Sequence, residues 1–454
     1  MAFIKRLSNT QKIVFGFGMV ILLGACILSL PISQTGREQT PFFHHLFTAT
    51  SMVSVTGLSV LSVGDVYNTF GQIICMCLMQ IGGLGWITVM TFFVFSLGEK
   101  LSLKNHYLLQ DSLNLNSAKN IKHYLVKVYQ VTFIVESFAS LLLMIDFIPR
   151  YGVFKGIFNA LFTAVSAFCN AGFDNLGGNS LQMFISNPLV NGVVAALIIS
   201  GGLGFLVWYE LYQKVREMFI HRQYKPTIWK SLSVHAKIVL VMTVSLIVLG
   251  TVFTFLSELH NSQTFAKMDT GTQVLASFFQ SVTMRTAGFA TLDYAKTLPL
   301  TNFIFVLLML IGGAPGGTAG GLKVTTIALI IFLVRTTLKG KNDVVFAYRT
   351  ISSKAIKQAL TMIVFFFSAL LLGYAGLLMS NPHLNPIDLW FEAVSAIATV
   401  GVTTGITTDL SVLGKIVIML LMFIGRVGAL TVLLSFVSKK EKDVRYAQAD
   451  ILIG

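Results

Sequence analysis

Phe47-Thr-Ala-Thr-Ser51 runs into Ser54-Val-Thr-Gly-Leu58, and the same arrangement returns three times. Phe162-Thr-Ala-Val-Ser166 leads to Cys169-Asn-Ala-Gly-Phe173. Phe278-Phe-Gln-Ser-Val282 leads to Arg285-Thr-Ala-Gly-Phe289, and Phe391-Glu-Ala-Val-Ser395 to Ala398-Thr-Val-Gly-Val402. In each copy the Phe lies ten residues before a glycine. Those glycines, Gly57, Gly172, Gly288 and Gly401, are 115, 116 and 113 residues apart. A period that regular divides nearly the whole 454-residue chain into four copies of one unit. Four similar units about one axis enclose a single pathway, as in an ion pore.

Apolar residues make up 54% of the chain and charged residues 11%, with a mean hydropathy of +0.76. That is the make-up of a polytopic membrane protein, not of an ordinary soluble enzyme. Runs long enough to cross a bilayer predict outer helices at about Ile13–Ile32, Tyr124–Ile148, Ile238–Leu256 and Gln358–Met379. Inner helices are predicted at Phe70–Leu97, Leu189–Tyr212, Asn302–Val334 and Lys415–Val437. The expected fold is all-α, with four pseudo-symmetric helix–pore-loop–helix repeats and eight membrane crossings. The repeats are set at 1–98, 99–213, 214–338 and 339–454. The first apolar run is too long for a signal-peptide core and is expected to be retained.

Of the 33 Lys and Arg, 23 fall in the two termini and in loops near 98–123, 213–237 and 335–357. This asymmetry places both termini in the cytoplasm. The net charge of +14 is therefore a topology signal that favours anionic lipid and argues against nucleic acid. Cys26, Cys75, Cys77 and Cys169 lie in apolar or re-entrant stretches without CxxC or His-rich surroundings, and read as small buried hydrophobes. His44 and His45 read as loop residues.

Between the helices of each unit lies an apolar segment of about ten residues, too short to cross and suited to a re-entrant half-helix. The irregular backbone after it is tolerated at membrane depth only where protein buries it or water lines it. A cation leaving water needs its hydration shell replaced, which backbone carbonyls can do. Glycine supplies the backbone angles that point them inward. The candidate filter is Val55, Thr56 and Gly57 in the first repeat and Asn170, Ala171 and Gly172 in the second. Thr286, Ala287 and Gly288 form its third strand, and Thr399, Val400 and Gly401 its fourth. The residues before the glycines differ, so the backbone and not a ring of side chains is the expected ligand. Asp65, Asp174, Asp293 and Asp409 follow the glycines and could concentrate cations at the mouth, or could simply be solvated loop residues.

The inner helices share a second signature: IGGLGW from Ile81, SGGLGF from Ser200, IGGAPGG from Ile311 and IGRVGA from Ile424. Close helix packing explains the first two copies. The third continues through Gly312, Gly313, Ala314, Pro315, Gly316 and Gly317 into Thr318, Ala319, Gly320 and Gly321 before Leu322 and Lys323. Such a run breaks a helix into a mobile segment, and it does not satisfy a phosphate-loop pattern. The fourth copy carries Arg426, placed roughly 17 Å from either end of its predicted helix, too deep to snorkel easily. It is expected to act as an electrostatic barrier in the pore, the alternative being an ion pair with an intramembrane acid. Arg285 and Glu392, in adjacent pore loops, are expected to pair behind the filter and support it. Glu136, Lys127 and Lys323 are further intramembrane charges without assigned partners.

With the four pore glycines and the repeated unit in view, the chain resembles the Trk/Ktr/HKT potassium-transporter superfamily over nearly all its length. It is most similar to the Ktr-type membrane subunit, because it begins directly with repeat one and lacks the extra hairpin of Trk-type subunits. The resemblance implies a homodimer seated on a cytosolic ring of RCK/KTN-type nucleotide-binding regulatory subunits. It implies transport of K+, which glycine at all four filter positions favours over Na+, possible activation by Na+, and no covalent cofactor. It also assigns Gly312–Gly321 to a loop that obstructs the pore below the filter, with a basic residue at Arg426's position beside it. The competing functions are an alternating-access cation symporter, disfavoured by four repeats of one orientation, and a membrane enzyme, for which no HExxH, GxSxG or acid–histidine cluster appears.

Overall fold

The computed structural model describes residues 8–36, 40–85, 121–220, 228–428 and 431–432. Each repeat begins with an outer helix: Asn9–Ser29, Ile121–Tyr151, Val234–Glu258 and Ser353–Ser380. All four are long and apolar enough to cross a membrane. Three of them start on a serine whose hydroxyl accepts a backbone N–H of the first turn: Ser8, Ser233 and Ser352. Their outward faces carry exposed Leu372, Phe138 and Leu256, which is surface suited to lipid.

Inside this ring sit four short pore helices: Phe42–Ser54, Val153–Cys169, Thr270–Thr283 and Pro386–Ile397. Phe47, Phe162 and Phe391 of the repeated motif are buried, whereas Phe278 is half-buried and Phe279 takes the core position. His44 and His45 are not loop residues. They lie at the start of the first pore helix, where His45 is buried with Nδ1 2.9 Å from the Tyr67 hydroxyl and Nε2 2.7 Å from Thr40 Oγ1. Cys75 and Cys169 are buried as expected, but Cys26 and Cys77 are exposed on outer and inner helix surfaces.

The inner helices differ most from expectation. The sequence predicts four spans with a break in the third alone. Every one breaks at the repeated glycine motif. The first helix, Thr69–Leu84, ends at Gly85, with φ +87°, and the fourth, Val412–Val427, at Gly428, with φ +93°. The second forms two helices, Pro188–Gly202 and Phe205–Ile220, whose axes bend by 99° around Gly204, with φ +84°. The third is Pro299–Leu310, then an irregular loop, then Val324–Leu338. Positive φ at Gly85, Gly204 and Gly428 is the physical reason in the first, second and fourth copies, since only glycine adopts it without a Cβ clash, while the third has Pro315 at that position. The predicted inner-helix ends at Leu97 and Val437, and most of the 98–123 loop, lie outside the described residues.

One small departure from an all-α fold follows the third repeat. Val345–Phe346 pairs antiparallel with Arg349–Thr350, turning through Ala347 and Tyr348, both at positive φ. Phe346 stacks on Phe332 at 4.7 Å between ring centres and ties this hairpin to the helix before it.

Candidate functional site

After each pore helix, two positions before the repeated glycine, stands a residue in or near the left-handed region: Val55 (φ +56°), Asn170 (+59°), Thr286 (+69°) and Thr399 (+53°). None is glycine, so the surroundings hold each in a conformation that costs about 1–2 kcal/mol. Part of that hold comes from the serine that closes the repeated Phe-x-x-x-Ser motif. Ser51 Oγ accepts the Gly57 N–H at 3.1 Å, Ser166 Oγ accepts Phe173 N–H at 2.9 Å, and Ser395 Oγ accepts Gly401 N–H at 3.0 Å. The third repeat has Val282 there, and Thr283 instead donates to the Phe289 carbonyl at 2.7 Å. The sequence reading quoted these serines without giving them a role, although their fixed place six residues before three of the glycines was a visible signal.

The four glycines close a ring. A Cβ on Gly57 would lie 2.9 Å from the Ala171 carbonyl oxygen, on Gly172 2.6 Å from that of Ala287, and on Gly288 2.5 Å from that of Val400. A Cβ on Gly401 would lie 2.0 Å from the Thr56 oxygen, which returns the circuit to the first repeat. In every case the same atom would also crowd a neighbouring repeat's glycine. The space inside the ring therefore exists because four side chains are missing, and its walls are backbone.

A second contact, repeated in three of the four units, explains the first glycine of the inner-helix motif. A Cβ on Gly82, Gly201 or Gly425 would fall 2.3, 2.0 and 2.0 Å from the carbonyls of Val53, Phe168 and Ile397. Each of those carbonyls lies four residues before the ring glycine of its repeat. Close packing, the expected reading, is right for these positions. The third glycine of the motif makes the break.

Directly beneath lies the Gly312–Gly321 segment. Its neck is pinched by Gly312 N–H to Leu322 O at 2.8 Å and Val324 N–H to Gly313 O at 3.1 Å. Towards the second repeat, Ala314 N–H donates to Gly202 O at 2.8 Å, Thr318 N–H to Gly201 O at 3.1 Å and Thr318 Oγ1 to Phe168 O at 3.0 Å. The Gly316 carbonyl accepts from Phe205 N–H, the first residue after the Gly204 bend. Gly312 packs on the Thr286 methyl and Gly320 on the Thr399 side chain, where a Cβ would lie 1.9 Å from Oγ1. Arg426 completes the circuit by donating to Thr318 O and to the carbonyls of Gly82 and Gly83. The segment thus touches, directly or through Arg426, the foot of all four repeats.

Arg426 stands in the last turn of its helix, not at the middle of a continuous span as expected. Its partners are carbonyls. Two of them, Gly82 O and Gly83 O, belong to the final turn of the first inner helix, where the carbonyl end of the helix faces a cation. A cation is favoured at such a helix end. The alternative of an intramembrane acid is not realised among the described residues, whose ion pairs are Arg150–Asp146, Lys214–Glu217 and Lys296–Asp293.

The same set corrects the expected Arg285–Glu392 pair. Both residues are buried, but Arg285 donates to Thr243 Oγ1 at 3.3 Å, on its own repeat's outer helix. Glu392 accepts from Thr407 Oγ1, which in turn reaches Thr403 Oγ1 at 3.1 Å. Each charge bonds to a hydroxyl of its own repeat, Arg285 Nε and Glu392 Oε2 stay buried without a hydrogen-bond partner among the described residues, and the two form no ion pair. Glu136 also finds a polar partner: Gln80 Nε2 donates to both its oxygens at 3.0 and 3.2 Å, while Gln80 Oε1 accepts from Cys169 Sγ at 3.0 Å. At the mouth, Asp293 is paired with Lys296, and half-buried Asp174 accepts from Leu176 N–H at 3.0 Å. Loss of hydration pushes the Asp174 carboxyl up to about 6.

Comparison with known proteins agrees with this architecture. Residues 18–446 match the family described as TrkH, cation transport protein. The chain is 37% identical to the potassium/sodium uptake protein NtpJ of Enterococcus hirae, covering 99% of this chain and 98% of that one. It is 36% identical to the Ktr system potassium uptake protein B of Bacillus subtilis, over 99% and 97% of the two chains. The potassium transporter TrkH of Vibrio parahaemolyticus shares the fold, with a TM-score of 0.71 at 16% identity over 95% of this chain and 86% of that one. A full-length family match and relatives this close leave one conclusion, that the chain is a membrane-spanning member of the TrkH cation-transport family.

Proposed function

We propose that this protein carries potassium into the cell as the ion-conducting subunit of a Ktr-type uptake system. The observation that carries the reading is the closed circuit of four glycines and four carbonyls. A dehydrating cation needs oxygens fixed around it, and a ring whose walls are backbone supplies them equally from four different sequences. Val55–Gly57, Asn170–Gly172, Thr286–Gly288 and Thr399–Gly401 form the filter, one strand from each repeat. The pore helices end beneath it, so their negative poles favour a cation there. Glu392 supports the filter through the Thr403–Thr407 segment that follows Gly401, and Arg285 through Thr243.

Gly312–Gly321 is the gate and Arg426 its latch. The loop is a steric obstacle and the guanidinium adds positive charge. The repeats correspond to residues 1–98, 99–213, 214–338 and 339–454, with both termini on the cytoplasmic side of the cell membrane. The Ktr relatives support a homodimer on a cytosolic RCK/KTN-type ring, and the relative described as a potassium/sodium uptake protein supports a role for Na+ as an activator. An alternating-access symporter would need a site between two inverted halves, and four repeats of one direction do not build it.

The test is rubidium flux into vesicles holding the purified subunit. Flux inhibited by K+ far better than by Na+ is expected. Deleting Ala314–Thr318 leaves the pinched neck at Gly312–Leu322 intact and should raise flux, and Arg426→Ala should raise it less. Absence of flux from folded wild-type protein would refute conduction, and loss of flux on deletion from folded, dimeric protein would refute the gate.

A further inference from the structure

Lys323 ends the loop beneath the ring, and the conduction reading leaves it unused. Its ammonium folds back onto the loop, donating to the Ala319 carbonyl at 2.6 Å and more distantly to that of Gly320 at 3.4 Å. Everything else about its position is unfavourable to a cation. Lys323 is the N-cap of the Val324–Leu338 helix and makes no side-chain cap bond, so its charge opposes the helix dipole. No carboxylate pairs with it among the described residues. Arg426, a second positive charge, lies within electrostatic reach. Only the loop carbonyls compensate the half-buried charge.

The next carbonyl along completes a pattern. Arg426 donates to Thr318 O, so three consecutive loop carbonyls, at residues 318, 319 and 320, are each met by a cation tethered to the protein. Backbone carbonyls beneath a filter are what a partly dehydrated monovalent cation binds. We propose that Lys323 is a gating residue whose ammonium occupies, in the closed loop, oxygens that a permeating cation would otherwise take. The permeating ion and the tethered ammonium compete for the loop, and displacement of the ammonium releases it. This rests on the reading of Gly312–Gly321 as the gate. It makes opening depend on cation occupancy, so flux through the subunit should rise more steeply with rubidium concentration than simple saturation.

The experiment compares wild type, Lys323→Met and Lys323→Arg in vesicles, with rubidium flux measured across a range of rubidium concentrations. A charge-assisted hydrogen bond removed from the closed loop favours the open one by roughly tenfold. Lys323→Met should therefore raise flux at low rubidium by about that factor, lower the half-saturating concentration and flatten the steep rise. Lys323→Arg should restore wild-type behaviour. A purely structural lysine would change thermal stability or maximal flux without moving the half-saturating concentration. Unchanged concentration dependence in folded, dimeric Lys323→Met overturns the proposal, as does lost flux that Lys323→Arg does not restore. Should Lys323→Met fail to fold, wild-type protein decides: reductive methylation of Lys323, read by mass spectrometry, should rise in rubidium relative to choline, and equal labelling overturns the idea. If deleting Ala314–Thr318 fails to raise flux, the gate reading falls and this one with it. If the deletion raises flux while Lys323→Met changes nothing, only the role of Lys323 is lost.

Discussion

At the scale of single residues, the ring does not treat its four glycines alike. A Cβ at Gly57 would meet its nearest carbonyl at 2.9 Å, whereas at Gly401 it would meet one at 2.0 Å. Gly57→Ser should therefore fold, at a cost of about 2 kcal/mol from its positive φ and the close carbonyl, with reduced preference for potassium over sodium. Gly401→Ser should cost about 3 kcal/mol and abolish uptake. Thermal melts with paired potassium and sodium uptake measurements check both, and equal behaviour of the two variants would contradict the ring geometry. Asp174 offers a second test. Its carboxyl is held up to about 6 by loss of hydration, so it is charged at neutral pH and becomes neutral as outside pH falls through that value. If it concentrates cations at the mouth, rubidium uptake at low ionic strength should drop across that window, and Asp174→Asn should remove the drop. An identical pH profile in Asp174→Asn would make the residue an ordinary loop acid.

At the scale of elements, the inner helices show why a repeated motif can hold two devices. In the first, second and fourth repeats the first glycine of the motif lets the helix press on a pore-helix carbonyl, and the glycine three residues further on breaks the helix. Periodicity cannot separate the two, because one glycine inside an apolar run looks the same whether its φ is negative or positive. Gly204 and Gly428 give contrasting predictions. A methyl on Gly204 would lie 2.9 Å from the Pro315 carbonyl, so Gly204→Ala should push on the gate loop and raise basal flux. Among the described residues, a methyl on Gly428 would meet nothing nearer than Thr431 Oγ1 at 3.7 Å. Gly428→Ala should therefore show only the conformational cost, about 1–2 kcal/mol. Stability measured by thermal melts, together with flux, checks the pair. Flux unaltered by Gly204→Ala would mean that the second inner helix does not bear on the gate.

At the scale of the whole molecule, the charge asymmetry fixes a direction that can be measured. Tyr348 at the tip of the Val345–Thr350 hairpin is fully exposed, and Gly178, in the loop after the second filter strand, is exposed on the opposite side of the fold. In right-side-out vesicles, cysteine at Gly178 should react with a membrane-impermeant thiol reagent and cysteine at Tyr348 should not. Reversed labelling would overturn the assignment of both termini to the cytoplasm. Cys26 and Cys77, exposed on apolar helix surfaces, should stay unlabelled if those surfaces meet lipid.

The sequence by itself determined the repeat, the outer helices, the pore segments and the four glycines, because each depends on local properties: apolar length, short range and the absence of a Cβ. It also marked the Gly312–Gly321 loop, since ten residues with six glycines and a proline cannot continue a helix. The pairing of charges was decided only by tertiary structure. Arg285 and Glu392 lie in adjacent pore segments, yet each makes its hydrogen bond to a hydroxyl of its own repeat and not to the other charge. Arg426 binds carbonyls more than 100 and 300 residues away, two of them in the last turn of a helix that ends at a glycine which gave no sign of it. A backbone carbonyl is present at every residue and becomes a partner only where the fold leaves it without a donor. No pattern of side chains records where that happens.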